Sequence, residues 1–245
     1  MSETQVFLYK FFFEVFPYIG LGIFFMGSLT RFDRDQYTWK SDSSQLLRAG
    51  QLRWGSNLFH IGILFLFFGH TIGLLTPHWM YEPFITAQHK QMLAIISGGM
   101  AATICFIGLT ILLHRRIFDP RIRLTSHRTD IAILVILWVQ LVLGLVTLPF
   151  SYAGRADGHE MLILAAWAQG IWTFRPDALP LVAVAWPFKV HMVLGMIIFI
   201  LFPFSRLVHI WSGFGSIAYL FRPYQLVRAR RLNLPPGHNT PPTRI

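Results

Sequence analysis

Five runs of about 18 to 20 mostly apolar residues recur along this chain, each long enough for an α-helix to cross the hydrocarbon core of a bilayer. They fall at residues 6–29, 58–75, 92–113, 131–150 and 190–211. Of 245 residues, 54% are hydrophobic and 13% charged, against about a quarter charged in an ordinary soluble domain. A soluble globular fold is excluded, and the expected class is an all-α membrane protein built as a bundle of five transmembrane helices. The net charge of +10 comes from 21 Lys and Arg against 11 Asp and Glu. In a soluble protein that excess would suggest nucleic acid. Here the basic residues lie between apolar spans, so topology accounts for them and no nucleic-acid partner is expected.

Their distribution sets the orientation. Arg31, Arg34, Lys40, Arg48 and Arg53 crowd the first connection, and Arg115, Arg116, Arg121, Arg123 and Arg128 the third. Five more follow Trp211, whereas the opposite side has only Lys10, Lys90, Arg155, Arg175 and Lys189. Positive charge stays inside, so the N-terminus is expected outside and the C-terminus in the cytoplasm, a pattern that requires an odd number of spans. The opening MSETQVFLYK precedes no small-residue cleavage pattern, so the first span is expected to be retained. The apolar stretch 161–171 is too short to span and reads as an interfacial helix. Residues 1–230 read as one transmembrane domain and 231–245 as a Pro-rich, disordered cytoplasmic tail.

The single cysteine, Cys105, allows no internal disulfide, four-cysteine cluster or C-x-x-C-H haem attachment. Histidine carries the remaining chemistry. Six of ten histidines fall in loops or span ends, but His60 and His70 lie in the second span and His191 and His209 in the fifth. An ionisable side chain there is costly and marks function by default. Ten helical residues cover about 15 Å and eighteen about 27 Å, so tilt or a kink at Pro203 must absorb the mismatch between the two helices. Spans two and five run in opposite directions, which levels His60 with His209 on the inner side and His70 with His191 on the outer.

Two level pairs suit bis-histidine haem ligation, with Phe59, Phe65, Phe67 and Phe68 as apolar walls and Gly62, Gly69 and Gly73 allowing close approach. Gly69 and Gly73 also have the spacing of a helix-packing face. Ligands so far apart along their helices cannot meet at one zinc ion. A centre with histidine at both axial positions has none left for substrate, so its role is electron transfer. Lys90, at the outer end of span three, is placed either to hydrogen-bond a quinone oxygen or to snorkel to the interface. Arg53 and Arg206, near the inner pair, suit haem propionates or simple positive-inside placement. A proton-coupled transporter using the histidines as a relay and a passive anchor for a peripheral complex are the competing classes. A transporter would be expected to show repeat symmetry or broken helices in corresponding halves, which the sequence lacks.

The strings RFDRDQYTW (31–39), SNLFHIGIL (56–64), GHTIGLLTPHWMYE (69–82), FPFSRLVHIWS (202–212) and YQLVRAR (224–230) closely resemble the cytochrome b, or gamma, subunit of the membrane-bound respiratory nitrate reductase. The resemblance implies five helices holding two haem b groups between helices two and five, His60 and His209 at the inner iron, and His70 and His191 at the outer. It implies quinol (menaquinol or ubiquinol) bound at Gly69, His70 and Lys90 and oxidised near the outer side, with protons released outward. The implied partners are an iron-sulphur (beta) subunit and a molybdenum-containing (alpha) subunit that reduces nitrate, in a bacterial inner membrane. A cytochrome b anchor of a related quinol-linked oxidoreductase is the nearest alternative. The loop 151–189 is only loosely similar, and the tail after Arg230 has no counterpart in the resemblance.

Overall fold

The computed structural model describes residues 2–35, 49–156 and 158–212, and every regular element among them is helical. The expected tail 231–245 and the basic connection 36–48 lie outside the described residues. Five helical stretches are long and apolar enough to cross a membrane: Glu3–Arg34, Gly50–Leu75, Ala87–Phe118, Arg128–Ala153 and Trp186–Phe204.

The first is not uniform. Helix α1 (Glu3–Lys10) opens with a reciprocal cap in which Ser2 Oγ accepts from the Gln5 N–H and Gln5 Oε1 from the Ser2 N–H. A π turn, Phe11–Val15, then leads into α2 (Phe16–Asp35). The turn carries Glu14, whose Oε1 accepts from the Ala178 N–H at 3.1 Å. A carboxylate inside an apolar span is thereby used to fasten a distant loop.

Helix α3 (Ala49–Leu75) bears His60 and His70 and is followed by the short α4 (His78–Tyr81). Thr86 caps α5 (Ala87–Phe118), and Asp119 caps α6 (Pro120–Leu124), whose proline sits at the first position, where it sacrifices no hydrogen bond. Helix α7 (Arg128–Ala153) completes the fourth span. α3 packs along α5, α5 along α7, α7 along α9 (Trp186–Leu201), and α9 along α2. No extensive packed face joins α3 to α9.

Small residues bring α3 and α5 together. A Cβ on Gly108 would stand 2.3 Å from the Phe59 backbone nitrogen, and one on Gly62 would stand 2.6 Å from Cys105 Cβ. Close backbone approach of this kind is what small residues permit between membrane helices. Phe59 packs with Ile63 and Leu66 against the buried Ala102, Cys105, Leu109, Leu134 and Leu141. Gly62 allows the close approach expected of it, and the helix it admits is α5, against which Phe59 also packs. Gly69 and Gly73 are different, because a Cβ on either would meet nothing within 4 Å. They do not form the packing face that their spacing suggests.

The stretch expected at the interface forms α8 (His159–Trp172), which starts at Gly158 in the left-handed conformation, φ +70°. A Cβ at that position would stand 2.8 Å from the Ala87 carbonyl carbon, so both backbone and space require glycine. α8 is tied across span ends: Trp167 Nε1 donates to Phe13 O at 2.7 Å, Gln169 Nε2 to Leu74 O at 2.9 Å, and Tyr18 Oη to Ile171 O at 3.0 Å. Its buried face packs with Phe13, Ala178, Leu181 and Val184.

The fifth span departs from expectation. The α-helix ends at Leu201, and the chain continues as 3-10 turns at Phe202–Phe204 and Arg206–Val208, separated by an extended Ser205 (φ −120°, ψ 176°). Pro203 cannot donate to the ladder, and the helix stops there rather than kinking. α2 holds the break from the side. Arg31 Nη1 donates to Pro203 O at 2.8 Å and to Ser205 O at 2.9 Å, and Gly27 leaves space where a Cβ would stand 2.7 Å from Pro203 Cγ. The break lies between His191 and His209, where the 15 Å against 27 Å mismatch of straight helices has to be absorbed.

Candidate functional site: two histidine pairs

The structure brings His60 to His209 with ring centroids 6.3 Å apart, and His70 to His191 with centroids 6.4 Å apart. All four rings are oriented by backbone carbonyls at Nδ1. On α3 each uses its own helix: Nδ1 of His60 lies 2.7 Å from Ser56 O, and Nδ1 of His70 lies 2.7 Å from Leu66 O. Nδ1 of His209 lies 2.7 Å from Arg206 O in the preceding 3-10 turn, and Nδ1 of His191 lies 3.1 Å from Gln140 O on α7.

A carbonyl only accepts, so each Nδ1 carries the hydrogen and each Nε2 of the neutral ring carries a lone pair. That is the tautomer of a metal-ligating imidazole fixed by a carbonyl partner. It is poorly suited to a proton relay, because a backbone carbonyl cannot pass a proton on.

The separations permit a direct test of fit. A metal–imidazole bond of about 2 Å, with about 1.1 Å more from nitrogen to ring centre, places two coaxial rings on either side of one metal atom about 6.3 Å apart. Both pairs match that separation. Among the described residues no three His, Cys, Asp or Glu side chains converge as a metal-ion site. The two separate two-imidazole pairs would fit a macrocycle that supplies its other four ligands itself. The exposed Phe65, Phe67 and Phe68 of α3, with Gly69 and Gly73 open beside them, provide apolar surface near these sites.

The surroundings of the two pairs differ. At the inner pair, Arg206 Nη1 lies 3.6 Å from Asp130 Oδ2, and Arg116 Nη1 lies 3.0 Å from the same oxygen. The ion pair seen for Arg206 is thus with α7. Arg53 is exposed on α3, two turns before His60. At the outer pair the hydrogen-bond partner of His191 is neutral. Gln140 Nε2 donates to His191 O at 3.0 Å and lies 3.3 Å from His191 Nε2, and the ring rests on Gly144, where a Cβ would stand 3.1 Å from Cε1.

Lys90 does not snorkel. Its Nζ is buried, has no hydrogen-bond partner, and sits 3.7 Å from the centre of the Tyr81 ring. An ammonium held by a π face alone keeps its three N–H donors for an incoming oxygen acceptor. Tyr81 is 8% exposed; burial first, and the charge of Glu82 second, push its phenol above the ordinary value, so it stays protonated. Glu82 is itself paired with His78 at 3.2 Å.

Sequence reasoning missed Gln140, Asp130, Arg31 and Tyr81 as contributors. Gln140 had a usable signal, being a polar side chain in the middle of an apolar span. Arg31 on Pro203 and Asp130 on Arg206 act through contacts distant in sequence and had none, and Tyr81 reaches Lys90 only through the turn that follows α4.

Five spanning helices and two facing histidine pairs define a multi-pass helical membrane protein of the two-site, bis-imidazole kind. Residues 9–230 match the family described as nitrate reductase gamma subunit. The chain belongs to that family. It is 51% identical over 225 residues to the respiratory nitrate reductase 1 gamma chain of Escherichia coli (strain K12), covering 91% of this chain and 99% of that one. The respiratory nitrate reductase 2 gamma chain of the same organism is 50% identical, covering 92% of this chain and 99% of that one. The nitrate reductase gamma chain of Bacillus subtilis (strain 168) is 37% identical over 88% of this chain and 96% of its own length.

Proposed function

We propose that this chain is the quinol-oxidising cytochrome b subunit of a respiratory nitrate reductase, with two haem b groups. The observation that carries the reading is the pair of 6.3 and 6.4 Å imidazole separations, each with Nδ1 satisfied by a carbonyl. His60 and His209 hold the inner iron, and His70 and His191 the outer. When held by these two pairs, haem b would supply one-electron transfer.

The chain's own residues do the rest. Lys90 presents its N–H groups to a quinol oxygen beside Gly69 and His70. Quinol oxidation releases protons with electrons, and a site at this end of the bundle discharges the protons outward. The basic segments face the cytoplasm, where an iron-sulphur subunit accepts the electrons and passes them to a molybdenum-containing subunit for nitrate reduction. The protein is placed in the bacterial inner membrane, with its N-terminus outside and its C-terminus inside. The spectrum of isolated membranes containing the complex tests this: a quinol analogue should produce b-type absorption bands, and nitrate should bleach them. Membranes in which quinol gives no b-type bands would overturn the proposal.

A further inference from the structure

The two α3 histidines are oriented by carbonyls of their own helix and His209 by the turn that precedes it, whereas His191 takes its carbonyl from α7 and the turn before His209 is itself held by an ion pair to α7. That support converges on α7. Gln140 engages His191 at three points, its backbone carbonyl accepting from Nδ1, its side-chain amide donating to His191 O, and the same amide nitrogen lying 3.3 Å from Nε2. Asp130 lies in the first turn of α7, 7% exposed, with Arg116 at 3.0 Å and Arg206 at 3.6 Å. The Arg206 carbonyl in turn takes the His209 Nδ1 hydrogen at 2.7 Å.

This second route crosses the break after Leu201, where the α-helical ladder no longer fixes the chain. A carboxylate buried between two guanidinium groups holds its geometry strongly, because its loss leaves two cations uncompensated. Asp130 and Gln140 are ten residues apart, about 15 Å along a helix, the same interval that separates His60 from His70 on α3. Resting on the reading of the pairs as haem ligands, we propose that α7 is the positioning helix for both sites, Gln140 orienting His191 directly and Asp130 orienting His209 through Arg206.

Redox titration of the intact complex in membranes, followed by EPR, separates the two roles, with each signal assigned by the ligand variant that removes it. In Asp130→Asn, two guanidinium groups face a neutral amide, which favours the state that has gained an electron. The inner signal should move to more positive potential and the outer should stay unchanged, while Asp130→Glu returns the inner signal toward its unmodified value. Gln140→Leu should alter the outer signal's g-values and leave the inner untouched. Inner potentials that ignore Asp130→Asn, equal shifts of both signals, or a Gln140→Leu effect on the inner signal would overturn the inference. Should Asp130→Asn not accumulate, Arg206→Gln breaks the link while keeping the Arg116–Asp130 pair, and an unchanged inner signal would overturn the inference equally. An unmodified complex lacking two b-type signals would instead overturn the reading of the pairs themselves.

Discussion

Replacing His60 or His209 with leucine is expected to abolish one and the same b-type EPR signal, and replacing His70 or His191 to abolish the other. The expectation follows from the pairing. Each ring faces one partner at 6.3 or 6.4 Å, so losing either imidazole of a pair leaves an iron with one protein ligand and no nearby His to take its place. Quinol-dependent nitrate reduction should fall to background in all four variants, because either loss interrupts the proposed route through the two histidine pairs. Signals recorded from membranes of the four variants check this. A result in which His60 and His191 behaved as partners would contradict the topology.

Lys90→Ala is the second large effect. The variant removes the one buried ammonium beside Tyr81 without touching either histidine pair, so both b-type spectra should persist. A charge-assisted hydrogen bond is typically worth about 1.5 to 3 kcal/mol, or roughly ten- to a hundredfold in quinol binding. Haem reduction by quinol analogues should weaken by that factor, while artificial donors that feed the downstream subunits directly still support nitrate reduction. Wild-type quinol kinetics in the variant would move the quinol site elsewhere on the outer face.

The parts of this fold legible in the sequence are those set by a local period and a membrane's thickness. Four spans fall wholly inside their helices, because an apolar run of fixed length has one solution in a bilayer, although α3 begins at Ala49, well before the apolar run that starts at residue 58. The fifth read too simply. Its composition continues to Trp211, but Pro203 ends the α-helix and the chain proceeds by 3-10 turns held by Arg31 of α2. Composition alone does not register that geometry. The facing of His60 to His209 and of His70 to His191 was legible because antiparallel spans and their spacing leave few ways to level four residues. Glycines were harder. Gly62 and Gly69 are alike in sequence, yet one is pressed against Cys105 and the other meets nothing, a difference decided by which face α5 covers. Polar residues acting at a distance, such as Asp130 on Arg206 and Arg31 on Pro203, become visible only when helices far apart in sequence are set side by side.

The central claim is that each histidine pair holds one haem b without covalent attachment. Pyridine haemochrome analysis of the purified complex, normalised to this chain, tests it most directly. Two acid-acetone-extractable b haems per chain is the expected result. One haem, none, or haem retained by the polypeptide after extraction would contradict it.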